Sequence, residues 1–473
     1  MVEGRLIRRV GVNTGFVLGS EVVRKLLAFA LQLVAVRVFG DAGYGRYIFA
    51  IGFVTLWALG NDLGLAELTV RDVARDRERA GAYLADVLSM KLLAGVLVLG
   101  VLALVGGATQ PAELPMILWA GLSAVIFAGS RESALGVFKG TQDFRSLFIV
   151  NLAGDALTLG LGYTAVLAGY GPLGLIVATA AATALSSLMS LLWARKRFGG
   201  VRPDPRRWWG LLKAGFPFAL ASVFIIVYKL VDVTMLKYML GSDEVVGWYG
   251  ASVKLVNILL FAPLALSAAL FPALAEMKGD DERLSRTASV TIRLLVGLAL
   301  PAAILIFFHA EGISAIALGP GYGPSADSLR VLGLSLPLVF ASYPLSVLLK
   351  STGREKLFAA GALVSGLVNV AANLYAIPRW EHVGAAWTTV ISEALVLVLF
   401  VVFARRYINL SQLGRPLLGT LAAGAAYGAA CAFLSLWWSL ALLPIYVLLL
   451  FVTGAVKGED IRGIREALRR GRG

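Results

Sequence analysis

The sequence has little charge, almost no histidine and a single cysteine. Only 15% of its 473 residues are Asp, Glu, Lys or Arg, against roughly 25% in soluble domains, which argues against an ordinary soluble protein. The single cysteine, Cys431, excludes an internal disulfide bond. The two histidines, His309 and His382, are well separated in the chain and argue against a metal site built from histidine. We therefore expect no metal site.

The short motifs of common enzyme classes are also missing. The sequence contains no Gly-x-Ser-x-Gly, Walker A, dinucleotide-binding or His-Glu-x-x-His motif. The segment 319–323 is rich in glycine, but we expect it to be a loop that holds no phosphate. The sequence therefore predicts neither an enzyme nor a cofactor, and the chain cannot itself be an ATP-driven pump of the P-loop type.

Apolar residues are abundant instead, at 58% of the chain, with a mean hydropathy of +0.80. A bilayer-spanning helix needs about 20 apolar residues, and the apolar runs between polar breaks indicate about 14 such helices. They lie near 10–37, 44–67, 82–106, 114–138, 146–168, 172–194, 210–238, 245–275, 287–309, 326–349, 356–377, 383–404, 416–434 and 437–455. The sequence thus predicts an all-α, polytopic membrane protein.

The net charge of +14 is mostly an orientation signal. If the N-terminus is cytoplasmic, about 32 of the 43 basic residues lie in cytoplasmic segments, as the positive-inside rule predicts. We expect both termini on the cytoplasmic side of the inner or plasma membrane. Nucleic-acid binding is not needed to explain the charge.

A repeat divides the chain into two similar halves. Gly15-Phe16 opens the first predicted span and Gly215-Phe216 the seventh, and a glycine-rich hairpin ending in Tyr-Gly follows each (40–45 and 241–250). Six spans that start on the same side in each half indicate parallel repeats. The predicted division is 1–196 for the N-lobe, 197–209 for a cytoplasmic linker, 210–408 for the C-lobe, 409–456 for two extra helices and 457–473 for a basic tail.

Basic side chains inside the spans are the main candidates for a binding site. A charge at the centre of a span costs about 2.5–3.5 kcal/mol, so those that are kept usually face a cavity or a partner. Arginine and lysine in a hydrated cavity suit phosphate or diphosphate groups. The predicted substrate contacts are Arg24, Lys25, Lys229, Lys254, Arg131 and Asn257. The alternative is structural: Glu21 would pair with Arg24 or Lys25, and Lys229 with Asp232, while Lys91 and Arg131 could snorkel to the cytoplasmic surface.

Acidic and amide side chains in the spans leave two roles open. The acidic candidates for coupling proton or sodium movement to transport are Glu21, Asp62, Asp155, Asp232 and Glu393. The pairs Asn151 with Asp155 and Asn369 with Asn373 are spaced one helical turn apart. Each pair either holds helices together or contacts a substrate.

Four stretches resemble one known family: 39–50 (FGDAGYGRYIFA), 61–79 (NDLGLAELTVRDVARDRER), 212–219 (LKAGFPFA) and 384–395 (GAAWTTVISEAL). They are similar to the polysaccharide biosynthesis (Wzx-type) oligosaccharide flippases of the multidrug/oligosaccharidyl-lipid/polysaccharide exporter superfamily. The resemblance implies a V-shaped, two-lobed bundle with a MATE-like fold and an extra pair of C-terminal helices.

The resemblance also implies a cargo, a polyprenyl-diphosphate-linked oligosaccharide carried from the cytoplasmic to the outer leaflet by alternating access. Its diphosphate would meet basic residues on the first, seventh and eighth helices. The implied partners are this lipid-linked oligosaccharide, membrane lipids, a coupling proton or sodium ion, and glycan polymerase or glycosyltransferase complexes.

Three alternatives remain open. A drug or cation antiporter of the same fold is expected to have an acidic or aromatic cavity, which the excess of basic residues disfavours. A flippase for peptidoglycan-precursor lipid is closer in chemistry and harder to separate. A membrane enzyme such as a polysaccharide polymerase or glycosyltransferase usually needs a long external loop or a cytoplasmic catalytic domain, and the sequence shows neither.

Overall fold

The structure is a computed structural model. It describes the backbone of residues 2–277, 279–408 and 410–459, and the side chains from Leu27 onward except at 217–218, 220–230, 268–269, 272–273, 275 and 410–412. The described part of the chain consists of helices and the loops that join them. The predicted all-α class is confirmed.

Seventeen α-helices follow one another along the described chain. They are α1 (Val2–Asp62), α2 (Leu65–Arg75), α3 (Ala80–Thr109), α4 (Leu114–Gly121), α5 (Ala128–Gly140), α6 (Phe144–Leu167), α7 (Gly171–Phe198), α8 (Pro205–Leu240), α9 (Asp243–Leu259), α10 (Phe261–Glu276), α11 (Asp281–Ala317), α12 (Ser325–Gly333), α13 (Ser335–Ser351), α14 (Glu355–Ala404), α15 (Leu410–Cys431), α16 (Leu436–Ala441) and α17 (Leu443–Val452). A π-helical segment, Leu122–Phe127, joins α4 to α5.

Eight helical stretches of the described residues are long and apolar enough to cross a membrane, and α12 with α13, bent by 42°, would form a ninth. Three of these stretches contain an internal break. α1 breaks at Gly40, which has a left-handed φ of 69°, α11 breaks at His309, with a φ of −120°, and α14 breaks at Glu381, with a φ of 47°. The breaks in α1 and α14 each lie between two spans predicted from the sequence, whereas His309 is the last residue of a predicted span. The figure of 14 spans therefore stays a prediction.

The chain forms two compact units, one of residues Arg24–Gly247 and one that combines the residues up to Val23 with those from Trp248 onward. The first unit includes α8, which the repeat assigns to the C-lobe. The division into compact units depends on which helices pack together, whereas the division into lobes depends on which segments of the sequence resemble each other. The predicted lobe boundaries therefore remain a proposal.

Within the first unit, the two copies of the repeat meet at a pair of glycines. A β-carbon at Gly45 would overlap the carbonyl group of Asp243 and lie 2.9 Å from the backbone nitrogen of Gly247. A β-carbon at Gly247 would in turn overlap the carbonyl group of Asp41. Asp41 and Gly45 thus hold the positions in the first copy that Asp243 and Gly247 hold in the second. This contact, called the glycine crossing below, needs residues without side chains on both helices.

The amide pair of α14 holds the two halves of that helix together. Asn373 Nδ2 donates to Asn369 Oδ1 at 3.1 Å, and the Thr388 hydroxyl, beyond the break at Glu381, donates to Asn373 Oδ1. All three side chains are buried. Of the two roles left open by the sequence, the contacts support helix packing.

We expect Asn373→Leu to lower the free energy of unfolding by about 1–3 kcal/mol, because the buried Asn369 and Thr388 groups would lose a partner. Thermal unfolding in detergent measures this loss. Leu374→Ala, at the exposed neighbouring position, is the matched control. Unchanged stability together with lost transport would instead place Asn373 in contact with the substrate.

Candidate functional site

Among the described side chains, Lys254 is the predicted substrate contact that is best placed to bind an anion. It lies near the middle of the candidate span Asp243–Ser267, on α9, and is half-buried. Within the described residues it has no hydrogen-bond or ion-pair partner. Asn257, one turn further along α9, is exposed. A cation without a counter-ion at this depth can interact favourably with a phosphate group.

Three other predicted contacts lie on α1 and α8. The side chains of Arg24, Lys25 and Lys229 are outside the described residues, as is that of Glu21. Their roles in substrate binding and ion coupling therefore remain predictions.

A second polar site, the Lys91 site, consists of Asp62, Lys91 and Glu132. Lys91 lies in the middle of α3, and its side chain is only 1% exposed. Its Nζ lies 2.7 Å from Asp62 Oδ1 at the end of α1 and 3.3 Å from Glu132 Oε2 on α5. Burial excludes the snorkelling alternative for Lys91, because the ammonium group is held between two carboxylates inside the helix bundle.

The π-helical segment shapes one wall of the Lys91 site. A π-turn displaces backbone carbonyls from their regular α-helical partners, and such turns are frequent at functional sites. Here the carbonyl of Val125 accepts a hydrogen bond from Asn61 Nδ2 at 2.7 Å. The other amide atom, Asn61 Oδ1, is buried and accepts no hydrogen bond from the described residues. Glycines at 95 and 129 leave the space that the Asn61 amide occupies.

Arg131, next to Glu132 on α5, contacts α6. Its Nη2 donates to Asn151 Oδ1 at 2.7 Å, and the guanidinium group lies against Gly154. Asp155, one turn beyond Asn151, is half-buried. Asn151 therefore orients a cation from a neighbouring helix, a contact that the spacing of Asn151 and Asp155 alone does not reveal.

The remaining predicted carboxylates lie apart in the fold. Asp232 is buried on α8 in the first unit. Glu393 is half-buried on α14 in the second unit, close enough to Tyr343 for an electrostatic interaction. The described residues include no group of three or more His, Cys, Asp and Glu side chains that could hold a metal ion.

Lys91, Glu132 and Asn61 are the residues of this region that the sequence did not single out as a site. The sequence signal for this site is a basic residue, Lys91, well inside one predicted span and an acidic residue, Glu132, well inside a second. The carboxylate of Asp62 lies at the end of a third. A separate network joins Tyr83, near the start of α3, to Asp72 and Arg71 on α2, which lies between two candidate spans. Partial burial favours a higher pKa for Asp72, but hydrogen bonds from Arg71 and Tyr83 outweigh it and lower that pKa.

Two family sequence models match the chain. One, described as polysaccharide biosynthesis protein, matches residues 10–278, and the other, described as MatE, matches residues 217–375. An uncharacterized membrane protein of Methanocaldococcus jannaschii is 24% identical over 187 residues, which is 39% of this chain and 37% of that protein. The chain thus aligns with well under half the length of this curated relative.

The solved structures that share the fold include a flippase and two transporters. The lipid II flippase MurJ, in an inward closed conformation, superposes with a TM-score of 0.76 over 95% of this chain and 99% of its own, at 12% identity. An inward-facing multidrug resistance MATE transporter gives 0.65 over 81% and 94%, at 16% identity. A superfamily transporter from Pyrococcus furiosus, described as having a binding pocket of reverse polarity, gives 0.57 over 84% and 94%, at 17% identity. At these identities the likeness shows the fold alone.

Proposed function

Because the chain belongs to the polysaccharide biosynthesis protein family of the multidrug/oligosaccharidyl-lipid/polysaccharide exporter superfamily, we propose that it is a flippase for polyprenyl-diphosphate-linked oligosaccharide. It moves this lipid from the cytoplasmic to the outer leaflet for cell-surface glycan assembly, by alternating access driven by an ion gradient. Both termini face the cytoplasm, and glycan polymerase or glycosyltransferase complexes are its proposed partners.

The observation that carries the proposed cargo is the cation of Lys254. Lys254 is half-buried in the middle of a candidate span and has no counter-ion among the described residues. A charge at such a depth is costly unless it faces a hydrated cavity or a partner. A lipid diphosphate supplies the missing negative charge, whereas a cationic drug would be repelled.

The other predicted contacts complete the proposed binding site. Arg24, Lys25 and Lys229 are the other proposed contacts for the diphosphate, and Asn257 and Arg131 are the proposed contacts for the sugars. The polyprenyl tail would stay in the surrounding lipid. Asp62, Asp155, Asp232, Glu393 and Glu21 are the carboxylates that the sequence predicts as candidates for ion coupling.

A peptidoglycan-precursor flippase is the second candidate, favoured by the extent of the fold likeness to lipid II flippase MurJ. Both cargoes are polyprenyl diphosphates, so Lys254 has the same role in each. The two candidates differ in the sugar and peptide groups that the hydrated site must accept.

The test is a flipping assay in proteoliposomes with fluorescent glycolipids. We expect a diphosphate-linked glycolipid to cross at least about tenfold faster than its monophosphate-linked counterpart, because it makes additional charge-assisted hydrogen bonds. A lipid II analogue in a parallel assay separates the two candidate cargoes. No movement of any lipid, together with ion-driven efflux of a cationic dye, would exclude both flippase candidates.

A further inference from the structure

The Lys91 site is arranged like a cation-binding site, but the cation in it is the ammonium group of Lys91. Two carboxylates from different helices, Asp62 and Glu132, point at one position, and the Lys91 ammonium occupies it at 2.7 and 3.3 Å. A bound metal cation would need the same space and the same negative charge. The Lys91 ammonium therefore leaves no place for a sodium ion between the two carboxylates. A proton is the cation that these carboxylates can still bind and release.

The two carboxylates differ in access to water. The Asp62 side chain is 33% exposed, and its Oδ1, facing Lys91, is fully buried and accepts no well-aligned hydrogen bond. The Glu132 side chain is 57% exposed and accepts a hydrogen bond from Lys91. Glu132 lies eight residues before the end of α5 at Gly140, which is about 12 Å along a helix. A carboxylate so exposed at this depth is expected to face hydrated space.

The neighbouring helices supply few other charges at this level. Asp62 comes from α1, Lys91 from α3, Arg131 from α5 itself and Asp155 from α6. Arg131 is directed to Asn151 on α6. The π-helical segment has no charged residue, and α7 is charged only at its cytoplasmic end, at 195–197.

The charged groups of α2 and the start of α3 have other contacts or lie at the surface. Asp72 on α2 is bound by Arg71 and by Tyr83 from α3, while Glu67 and Arg75 are exposed. Asp86 on α3 accepts a hydrogen bond from the backbone of Asp204 and pairs with Arg207. Among the described contacts, Lys91 is therefore the charge that acts directly on Glu132.

We propose that Asp62, Lys91 and Glu132 form a proton-binding site in which the Lys91 ammonium takes the place of a metal ion, and Glu132 takes up and releases the proton that drives transport. A proton from water adds to a Glu132 carboxylate oxygen, and the ion pair between Glu132 and Lys91 is lost. Lys91 keeps its own protons and stays paired with Asp62. The charge of the three groups changes from −1 to zero, which lowers the cost of enclosing them in the membrane.

This inference deepens the proposed function and rests on it, so its first test needs no lipid cargo. Purified full-length protein is heated in detergent with NaCl or with KCl at equal ionic strength, and 22Na+ binding is measured in parallel. We expect wild-type protein to show no sodium-specific stabilisation. Lys91→Met, which vacates the position between two carboxylates, should gain saturable sodium binding. Lys91→Met combined with Glu132→Gln, which keeps one carboxylate, should lose most of that gain.

The second test uses the flipping assay with an imposed pH gradient. We expect the gradient to accelerate wild-type flipping at least about fivefold, on the scale of 1 kcal/mol, and Glu132→Gln to abolish this response while flipping without a gradient persists. Glu132→Gln preserves the Asp62–Lys91 pair, so it tests the site even if Lys91→Met does not fold.

Three outcomes would overturn the inference. The first is saturable sodium binding by wild-type protein that disappears in Glu132→Gln. The second is a folded Lys91→Met protein that gains no sodium binding. The third is lipid flipping whose response to pH survives Glu132→Gln, which would leave the flippase function intact while removing its coupling site. Failure of all lipid transport with the expected sodium results would instead count against the cargo alone.

Discussion

Lys254→Met is expected to slow the flipping of a diphosphate-linked glycolipid by roughly 10- to 100-fold while the protein inserts and folds normally. A hydrogen bond to a charged group contributes about 1.5–3 kcal/mol, and each 1.4 kcal/mol is a factor of about ten. Lys254→Arg keeps the positive charge and should retain most of the rate. The rate is measured in proteoliposomes by quenching of the fluorescent lipid in the outer leaflet.

The fold should tolerate this change because Lys254 takes part in no described ion pair. Removing a buried partner usually leaves an uncompensated charge and costs about 3–5 kcal/mol. That cost applies to Lys91, which lies between Asp62 and Glu132, and to Lys237, which pairs with Asp243. Lys254→Met leaves no such charge behind. A slower flipping rate in this variant can therefore be assigned to weaker substrate binding and not to a less stable fold.

Lys213→Met is the matched control. Lys213 is exposed on α8, with its ammonium group above the ring of Trp209, four residues after the end of the predicted cytoplasmic linker at 209. Its removal changes the net charge of the protein by the same amount and should leave flipping within about twofold of wild type, because the side chain is solvated. Full activity in Lys254→Met, with Lys254→Arg also unaffected, would remove Lys254 from the binding site.

The helical class and the turns between spans were accessible to sequence reasoning because they depend on local patterns. Apolar runs of membrane length predict helices whatever surrounds them. The glycine-rich segments of the two repeats predict turns, and Gly40 and Gly241 do adopt left-handed φ values of 69° and 70°. The local amide pair of Asn369 and Asn373 is likewise observed. In each case the interacting residues lie within a few positions of one another.

The Lys91 site could not be predicted in the same way. Its three charges come from three helices, and the sequence does not determine how each helix is rotated about its axis when they pack. The π-helical segment adds to this difficulty, because it changes the rotation of α5 relative to α4 without any mark in the apolar pattern. Asn151 shows the same limit, since its partner Arg131 lies 20 positions away.

The glycine crossing predicts the largest effect on stability. We expect Gly45→Ala and Gly247→Ala each to lower the free energy of unfolding by about 3 kcal/mol, the upper end of the usual cost of overpacking. A β-carbon at Gly45 would lie 2.8 Å from the carbonyl carbon of Asp243, and one at Gly247 would lie 2.9 Å from that of Asp41. Both neighbours are backbone, so neither can move aside by changing a rotamer.

Gly100→Ala controls for the effect of adding a methyl group to a membrane helix. A β-carbon at Gly100, on α3, would meet no other atom within 4 Å. Alanine is a better helix former than glycine by about 0.8–1.0 kcal/mol, so this substitution should be neutral or slightly stabilising. The comparison is made by the yield of monodisperse protein and by thermal unfolding in one detergent.

The double variant Gly45→Ala/Gly247→Ala tests whether the crossing is one contact or two. The two glycines lie on opposite sides of the glycine crossing, with 2.9 Å between the β-carbon position of Gly45 and the backbone nitrogen of Gly247. Once the first alanine has pushed the helices apart, the second has more room, so the combined loss should fall short of the sum of the single losses by about 1 kcal/mol or more. Additive losses would mean that each glycine packs independently, and an unchanged stability in both single variants would mean that the two copies of the repeat do not approach each other here.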